Sequence, residues 1–360
     1  LYCGEMKMKE KLKYPLLILA LSLLLCSAAV FLHGCNSSAA SESTTTTEEI
    51  TTTEPPKVFN PLTGLSGYDA ALLSNRPVMI MINNLKACRP QWGLTTPDVV
   101  FETVTEGGIT RMLWMYADKS RIPEKVGSVR STRHYYIQLA RGYDAIFIHW
   151  GGSTYAYNAI KQGVIDNVDG MSSGKYFDRD RSRGVSIEHT GFTTGSNIIK
   201  AISDKKYRTE IKPEYKNPFN FSETKLSLSG GECQTLAFSF SKDFSYTYKY
   251  NSTDSLYYSY LNDSPFVDSN GVQQTFTNAI ILHTYVSSLN DAKARVTVDF
   301  KGGSGVYVTN GTYENITWKK GDDLSMLRFY SADGSEIKLN PGRSYIGIVP
   351  KDKESKTVIS

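Results

Sequence analysis

A chain of 360 residues that is 40% hydrophobic and 12% aromatic buries a sizeable core, which excludes a disordered protein and leaves room for about two domains. A formal charge of +4 is too small to imply a nucleic-acid partner. Its distribution is uneven, since residues 75–200 hold ten Arg and six Lys against eleven acids, a balance of +5, whereas residues 201–360 hold four Arg and fifteen Lys against eighteen acids, a balance of +1.

The chain starts with targeting signals. Lys7, Lys9, Lys11 and Lys13 flank an apolar run over residues 16–25 that continues to Leu32-His33-Gly34-Cys35, the layout of a signal peptide. Leu-Xaa-Gly-Cys resembles the bacterial lipobox, so residues 1–35 are expected to be a signal peptide with its lipobox, cut before Cys35, which becomes the lipidated first residue. An uncleaved transmembrane anchor is the alternative. Either way the body is expected outside the cytoplasm and held at a membrane. Cys3 and Cys26 belong to this leader, leaving Cys88 and Cys233 in the body. These two could form one disulfide and lack metal-ligand spacing, so no metal site is expected. Residues 36–58 are Ser, Thr and Glu with almost no apolar side chains, which predicts a disordered tether.

Globular composition begins at residue 59. Continuous apolar runs at 77–82, 98–104 and 111–116 predict buried strands, the last two joined by a Glu106-Gly107-Gly108 turn. Residues 131–139 predict a short helix, 144–150 a strand, Gly151-Gly152 a turn, and 153–162 a helix closed by Gly163. An irregular, Arg-rich stretch over 171–196 reads as either a working loop or a disordered one, followed by a helix at 197–203 capped by Ser196. Beyond residue 215, Tyr246, Tyr248 and Tyr250 alternate, as do Tyr258 and Tyr260, and short β-type runs occur at 279–286, 295–300, 305–309, 312–317 and 345–349. The expected class is α+β: an α/β-type layered domain over 59–210, then a mostly antiparallel β domain over 215–355.

Candidate chemistry clusters in the first domain. Gly151, Gly152 and Ser153 close a strand and open a helix, presenting backbone N–H groups to an anion; the alternative is a tight turn capped by Ser153. Arg130 and Arg133, three apart at a predicted helix start, make sense with an anion between them, or else paired with Glu102, Glu106 or Glu124. Guanidinium binds phosphate and carboxylate bidentately, so Arg89, Arg111 and Arg179 join the candidate ligand set. His149 is placed at the carboxyl end of a strand, and His189 beside Glu188; with Glu102 or Glu106 they are the candidates for acid–base work. Neither a nucleophile motif nor His-Glu-Xaa-Xaa-His occurs, and no cofactor is implied.

Several blocks, Arg89-Pro90-Gln91, Glu106-Gly107-Gly108-Ile109-Thr110-Arg111, Gly127-Ser128-Val129-Arg130-Ser131-Thr132-Arg133 and His149-Trp150-Gly151-Gly152-Ser153, together resemble the YerB-type bacterial lipoprotein family, as do Trp318 and Pro341-Gly342-Arg343-Ser344-Tyr345. The resemblance covers residues 59–350. It implies a lipid-anchored, extracytoplasmic, two-domain protein of a Gram-positive bacterium, and it implies no activity. His134 departs from the small or acidic residue expected at its position. An analogy in layout alone links the arginines and the Gly-Gly turn to LytR-type envelope phosphotransferases. Three readings follow: a lipoprotein binding an anionic envelope ligand, an envelope enzyme acting on phosphate-containing wall or lipid precursors, and a non-catalytic scaffold for cell-wall proteins.

Overall fold

Apolar runs without alternation form strands covered on both faces, and the first segment is built from three of them, β1 (Val78–Asn83), β2 (Val99–Val104) and β3 (Thr110–Tyr116), every residue of which is buried. The computed structural model describes residues 57–163 and 165–360. The expected leader, Cys35 and all but the end of the tether lie outside these residues. Among the described residues no helix is long and apolar enough to cross a membrane.

In chain order there follow β4 (Val126–Gly127), α1 (His134–Gly142), β5 (Ile146–His149), α2 (Thr154–Gln162), β6 (Asn167–Asp169), β7 (Phe177–Arg179), β8 (Gly191–Thr193) and α3 (Gly195–Asp204). The second segment adds β9 (Thr235–Ser241), β10 (Phe244–Asn251), β11 (Leu256–Leu261), β12 (Ser264–Pro265), β13 (Thr275–Phe276), β14 (Asn278–Thr284), β15 (Val286–Ser288) and β16 (Val296–Val298). It ends with β17 (Gly303–Thr309), β18 (Thr312–Lys319), β19 (Arg328–Tyr330), β20 (Ser344–Pro350) and β21 (Val358–Ile359).

One sheet of ten strands, in the order β19-β18-β17-β14-β20-β2-β3-β1-β5-β6, draws on both segments. The junction is β20, which pairs in parallel with β14 on one side and with β2 on the other, placing Ile346 opposite Ile280 and Phe101. Side-chain alternation splits each central strand between two cores. Val78, Ile80, Ile82 and Trp114 face a core roofed by the antiparallel sheet β9–β10–β11 and by α3. Met79, Met81, Leu113 and Phe101 face the other, which contains Tyr135, Tyr136 and Leu139 of α1 together with Trp318 and Phe329. On β9 to β11 buried and partly exposed residues alternate, so Phe238, Tyr246 and Tyr248 point inward; on β11 the inward tyrosine is Tyr257, and Tyr258 and Tyr260 turn outward. The fold is α+β. Residues 57–360 belong to one compact unit, and both cores are built from its described residues.

Three elements differ from the sequence reading. Helix α1 starts at His134, not at 131, because Ser131 and Thr132 are held by the neighbouring turn: Ser131 Oγ donates to Trp150 O (3.0 Å), and Thr132 N donates to Gly151 O (2.9 Å). Thr194, not Ser196, caps α3 by accepting from Asn197 N (2.9 Å). The expected loop over 171–196 holds β7 and β8, which pair with β4 in a small antiparallel sheet.

Because β20 carries both cores, Ile346→Ala is expected to cost about 2–5 kcal/mol and to leave one cooperative unfolding transition. Urea denaturation followed by tryptophan fluorescence and by far-UV circular dichroism checks this; two separated transitions would show that the segments do not share a core.

Candidate functional site

The arginine cluster is assembled where β3 begins and α1 begins. Arg111 lies on the face of β3 that carries Leu113 and Met115, and Tyr136 of α1 donates its hydroxyl to Arg111 O (2.7 Å). Its guanidinium is only 4% exposed; Nη1 donates to Ser131 O, Nε has no hydrogen-bond partner, and no carboxylate forms an ion pair with it among the described residues. Burial, with the charges of Arg133 and Arg130, lowers its pKa to about 10, while Glu106 partly opposes them. Arg133 occupies the N-cap position of α1 but makes no side-chain cap, and the first turn of the helix contains no acid. The positive end of the helix dipole therefore has no acid of its own helix beside these arginines.

The neighbouring arginines are partly answered. Arg133 forms a two-pronged pair with Glu106, Nε to Oε1 at 2.5 Å and Nη2 to Oε2 at 2.8 Å. Although burial pushes the Glu106 carboxyl up, Arg133 and Arg111 hold it below the ordinary glutamate value. Arg130 donates from Nη2 to Glu188 Oε2 (2.6 Å), and Glu188 is itself exposed, while Arg130 Nε is buried without a partner. Arg179 reaches Ile187 O and stacks on the Trp150 ring at 4.1 Å; burial first, then Arg130 and Arg181, lower its pKa. Arg89 turns away toward the hairpin sheet, donating to Asn84 O (3.1 and 2.7 Å) and lying 5.3 Å from the Phe244 ring. The described cavities lie elsewhere; the most enclosed, about 280 Å³, is lined by Leu62, Leu73, Met115 and Tyr143.

At the Gly-Gly turn the expected anion site is already filled from within. Asp169 Oδ1 accepts from Gly151 N (2.7 Å) and Met171 N (3.0 Å), and its Oδ2 accepts from Tyr157 OH (2.8 Å). Ser153 N donates to Thr132 O (3.2 Å) while Ser153 Oγ caps Ala156 N (3.1 Å). Gly151 sits at φ +82°, and a side chain there would press on Ser131 Oγ, which is why this position is glycine. Gly151, Gly152 and Ser153 are thus a structural corner whose negative partner is Asp169.

The acid–base candidates are not brought together. His149 is 0% exposed, hydrogen-bonded through Nδ1 to Gly151 O (2.9 Å) and through Nε2 to the Asn167 side chain (3.2 Å). His189 contacts Cys88 Sγ (3.4 Å) and Asn83 (3.3 Å) through Nδ1 and Glu188 (3.5 Å) through Nε2. Burial pushes the Cys88 thiol up to about 11 and lowers the His189 pKa, so this is a neutral pair and not a thiolate–imidazolium couple. Cys88 and Cys233 are both free and buried.

Glu102, the remaining candidate, is sealed in the core under the hairpin sheet. Asn84 Nδ2 (2.8 Å), Thr110 Oγ1 (2.5 Å) and Tyr246 OH (3.1 Å) donate to Oε1, and Tyr345 OH donates to Oε2 (2.9 Å). Burial raises the carboxyl above its ordinary value in spite of these four bonds. Neither this network nor the isolation of Arg111 had a sequence signal, since Tyr246 and Tyr345 come from strands 144 and 243 residues away; the visible hints were Thr110 and Tyr345, each within one of the quoted blocks.

Residues 62–208 match the amino-terminal domain, and residues 235–346 the carboxyl-terminal domain, of a family described as protein of unknown function (DUF3048). YerB of Bacillus subtilis (strain 168), named as a candidate lipoprotein, is 30% identical over 307 residues, 82% of this chain and 87% of its own. The crystal structure of YerB from Bacillus subtilis is similar with a TM-score of 0.72 at 28% identity, over 82% of this chain and 98% of the solved one.

A folded-state pKa above the unfolded one means that the native protein binds the extra proton, so the stability contributed by Glu102 is full below the ordinary glutamate value and is lost as pH rises toward the folded value. Glu102→Gln, whose amide keeps the acceptor on the Oε1 side and donates toward Tyr345, is expected to remove that loss. Chemical denaturation at about pH 5 and about pH 8 should show wild type weakening relative to the variant as pH rises. Parallel pH dependence in both proteins would contradict it.

Proposed function

This chain belongs to the family of proteins of unknown function DUF3048, and on that premise we propose that it is a lipid-anchored, extracytoplasmic protein that binds an anionic cell-envelope ligand through Arg111, Arg130 and Arg133. The observation that carries the reading is Arg111, a buried residue with an orphaned Nε–H and no carboxylate in an ion pair with it among the described residues. Burying an unpaired charge is costly, and guanidinium does not escape by losing its proton near neutral pH; a bound anion removes the penalty. The uncapped start of α1 and the exposed, displaceable Glu188 on Arg130 point to the same ligand charge. The lipoprotein name of the relative and the lipobox-like Leu32-His33-Gly34-Cys35 support the anchor.

Inorganic phosphate is expected to raise the melting temperature of residues 57–360, by the equivalent of about 2.7 kcal/mol at a hundredfold excess over the dissociation constant. Arg111→Gln should abolish that shift without lowering the melting temperature in the absence of phosphate, because it deletes an uncompensated buried charge. No shift in wild type with phosphate, sulfate or carboxylates would refute the reading. For the anchor, Cys35→Ser is expected to move the protein from the membrane fraction to the culture medium; unchanged membrane retention would identify a spanning segment instead.

A further inference from the structure

We infer that the ligand of the arginine cluster is an amphiphile with a dianionic phosphate head and a hydrocarbon chain, bound across Arg111 and Arg130 with its chain along Met171 and Ile187. The inference rests on the anion-binding reading and adds the ligand class to it.

Charge sets the head. Four arginines, Arg111, Arg130, Arg133 and Arg179, form the cluster, and two carboxylates, Glu106 and Glu188, are in contact with them, leaving a residual charge of +2. A phosphate monoester, which carries about −1.5 to −2 at neutral pH, matches that residue, whereas a single carboxylate does not. The donors left without partners, Arg111 Nε and Arg130 Nε, are N–H groups of the kind that phosphate oxygens accept.

The tail is set by what surrounds the cluster. Met171 is 70% exposed and Ile187 51% exposed, large apolar side chains that a water-facing surface gains nothing by displaying. Both belong to the same patch as the arginines. Met171 follows Asp169 and lies against Gly151, whose other neighbour is Ser131, the residue whose carbonyl accepts from Arg111. Ile187 O accepts from Arg179, and the next residue, Glu188, pairs with Arg130. Between them Trp150 is fixed by the bare backbones of Gly170 and Gly191, each so close that a side chain there would collide with the indole, and it holds Arg179 at 4.1 Å. A cationic head site continuous with exposed apolar side chains fits a molecule that is charged at one end only.

The test is a chain-length series by isothermal titration calorimetry on residues 57–360, using inorganic phosphate, hexyl phosphate and decyl phosphate below its micelle concentration, with decyl maltoside as a neutral-headed control. Affinity is expected to rise along the series, decyl phosphate binding at least about tenfold more tightly than inorganic phosphate. Decyl maltoside should bind much more weakly than decyl phosphate. The double substitution Met171→Ser and Ile187→Ser, both at exposed positions, should erase the gain from chain length and leave the inorganic phosphate affinity as it was. A flat series with phosphate still bound would overturn this inference alone. Equal binding of decyl maltoside and decyl phosphate would also overturn it, since the head would then be irrelevant. Absence of binding by every phosphate would overturn the anion reading as well.

Discussion

Strand β20, some 240 residues after β2, inserts between β2 and β14, and through its parallel ladders the hydrogen bonds of a single sheet pass from the first segment of the chain to the second. That pairing determines the remaining architecture. It creates two faces that both require covering; the hairpin sheet β9–β11 covers one, and α1 with the β18–β19 edge covers the other. It also places Tyr345 opposite Val100, from where its hydroxyl reaches Glu102 on the same face of β2 (2.9 Å), so the joint between the segments has a polar network at its centre. A small sheet of three or four strands exposed on one side could not have enclosed groups of this kind, and it is the double cover that makes both cores dry.

Adjacent strands β2 and β3 each bury an ionisable side chain, and the two are satisfied by different physics. Glu102 on β2 is answered within the chain by a network of hydroxyl and amide donors, and burial raises its carboxyl above the ordinary glutamate value. Arg111 on β3 has no such network, and even a pKa lowered to about 10 leaves it charged at neutral pH. It lies beside the start of α1, where the helix dipole is also positive, and in the proposed reading its charge is answered by a bound anion. The difference between a carboxyl whose oxygens are all partnered internally and a guanidinium with an unpartnered N–H separates the structural network from the proposed binding surface.

Asp169 makes the same distinction at the Gly-Gly corner. The backbone N–H groups of Gly151 and Met171 do attract a carboxylate, but the carboxylate belongs to β6 of the same chain. The corner is therefore a fastening between β5, α2 and β6. It holds Ser131 and Thr132 in place, which sets where α1 begins and so where Arg133 stands relative to Arg111.

Periodicity and composition by themselves determined the central strands, because a run such as Val78–Asn83 that is apolar at every position is compatible only with cover on both sides, and they determined α2, whose cap Ser153 and terminator Gly163 are local. The concentration of arginine in the first segment was equally visible, since it needs only counting. What the tertiary structure decided was which charges are answered. Nothing within a few residues of Arg111 distinguishes it from Arg133, yet one is paired and the other is not, because Glu106 comes from the β2–β3 turn and Glu188 from beyond β7. Likewise Asp169, 18 residues after Gly151, turned an expected ligand site into a corner. Local propensity acts over a helical turn or a strand pair, whereas electrostatic pairing acts through space, so partners far apart along the chain become legible only when the sheet has brought them together.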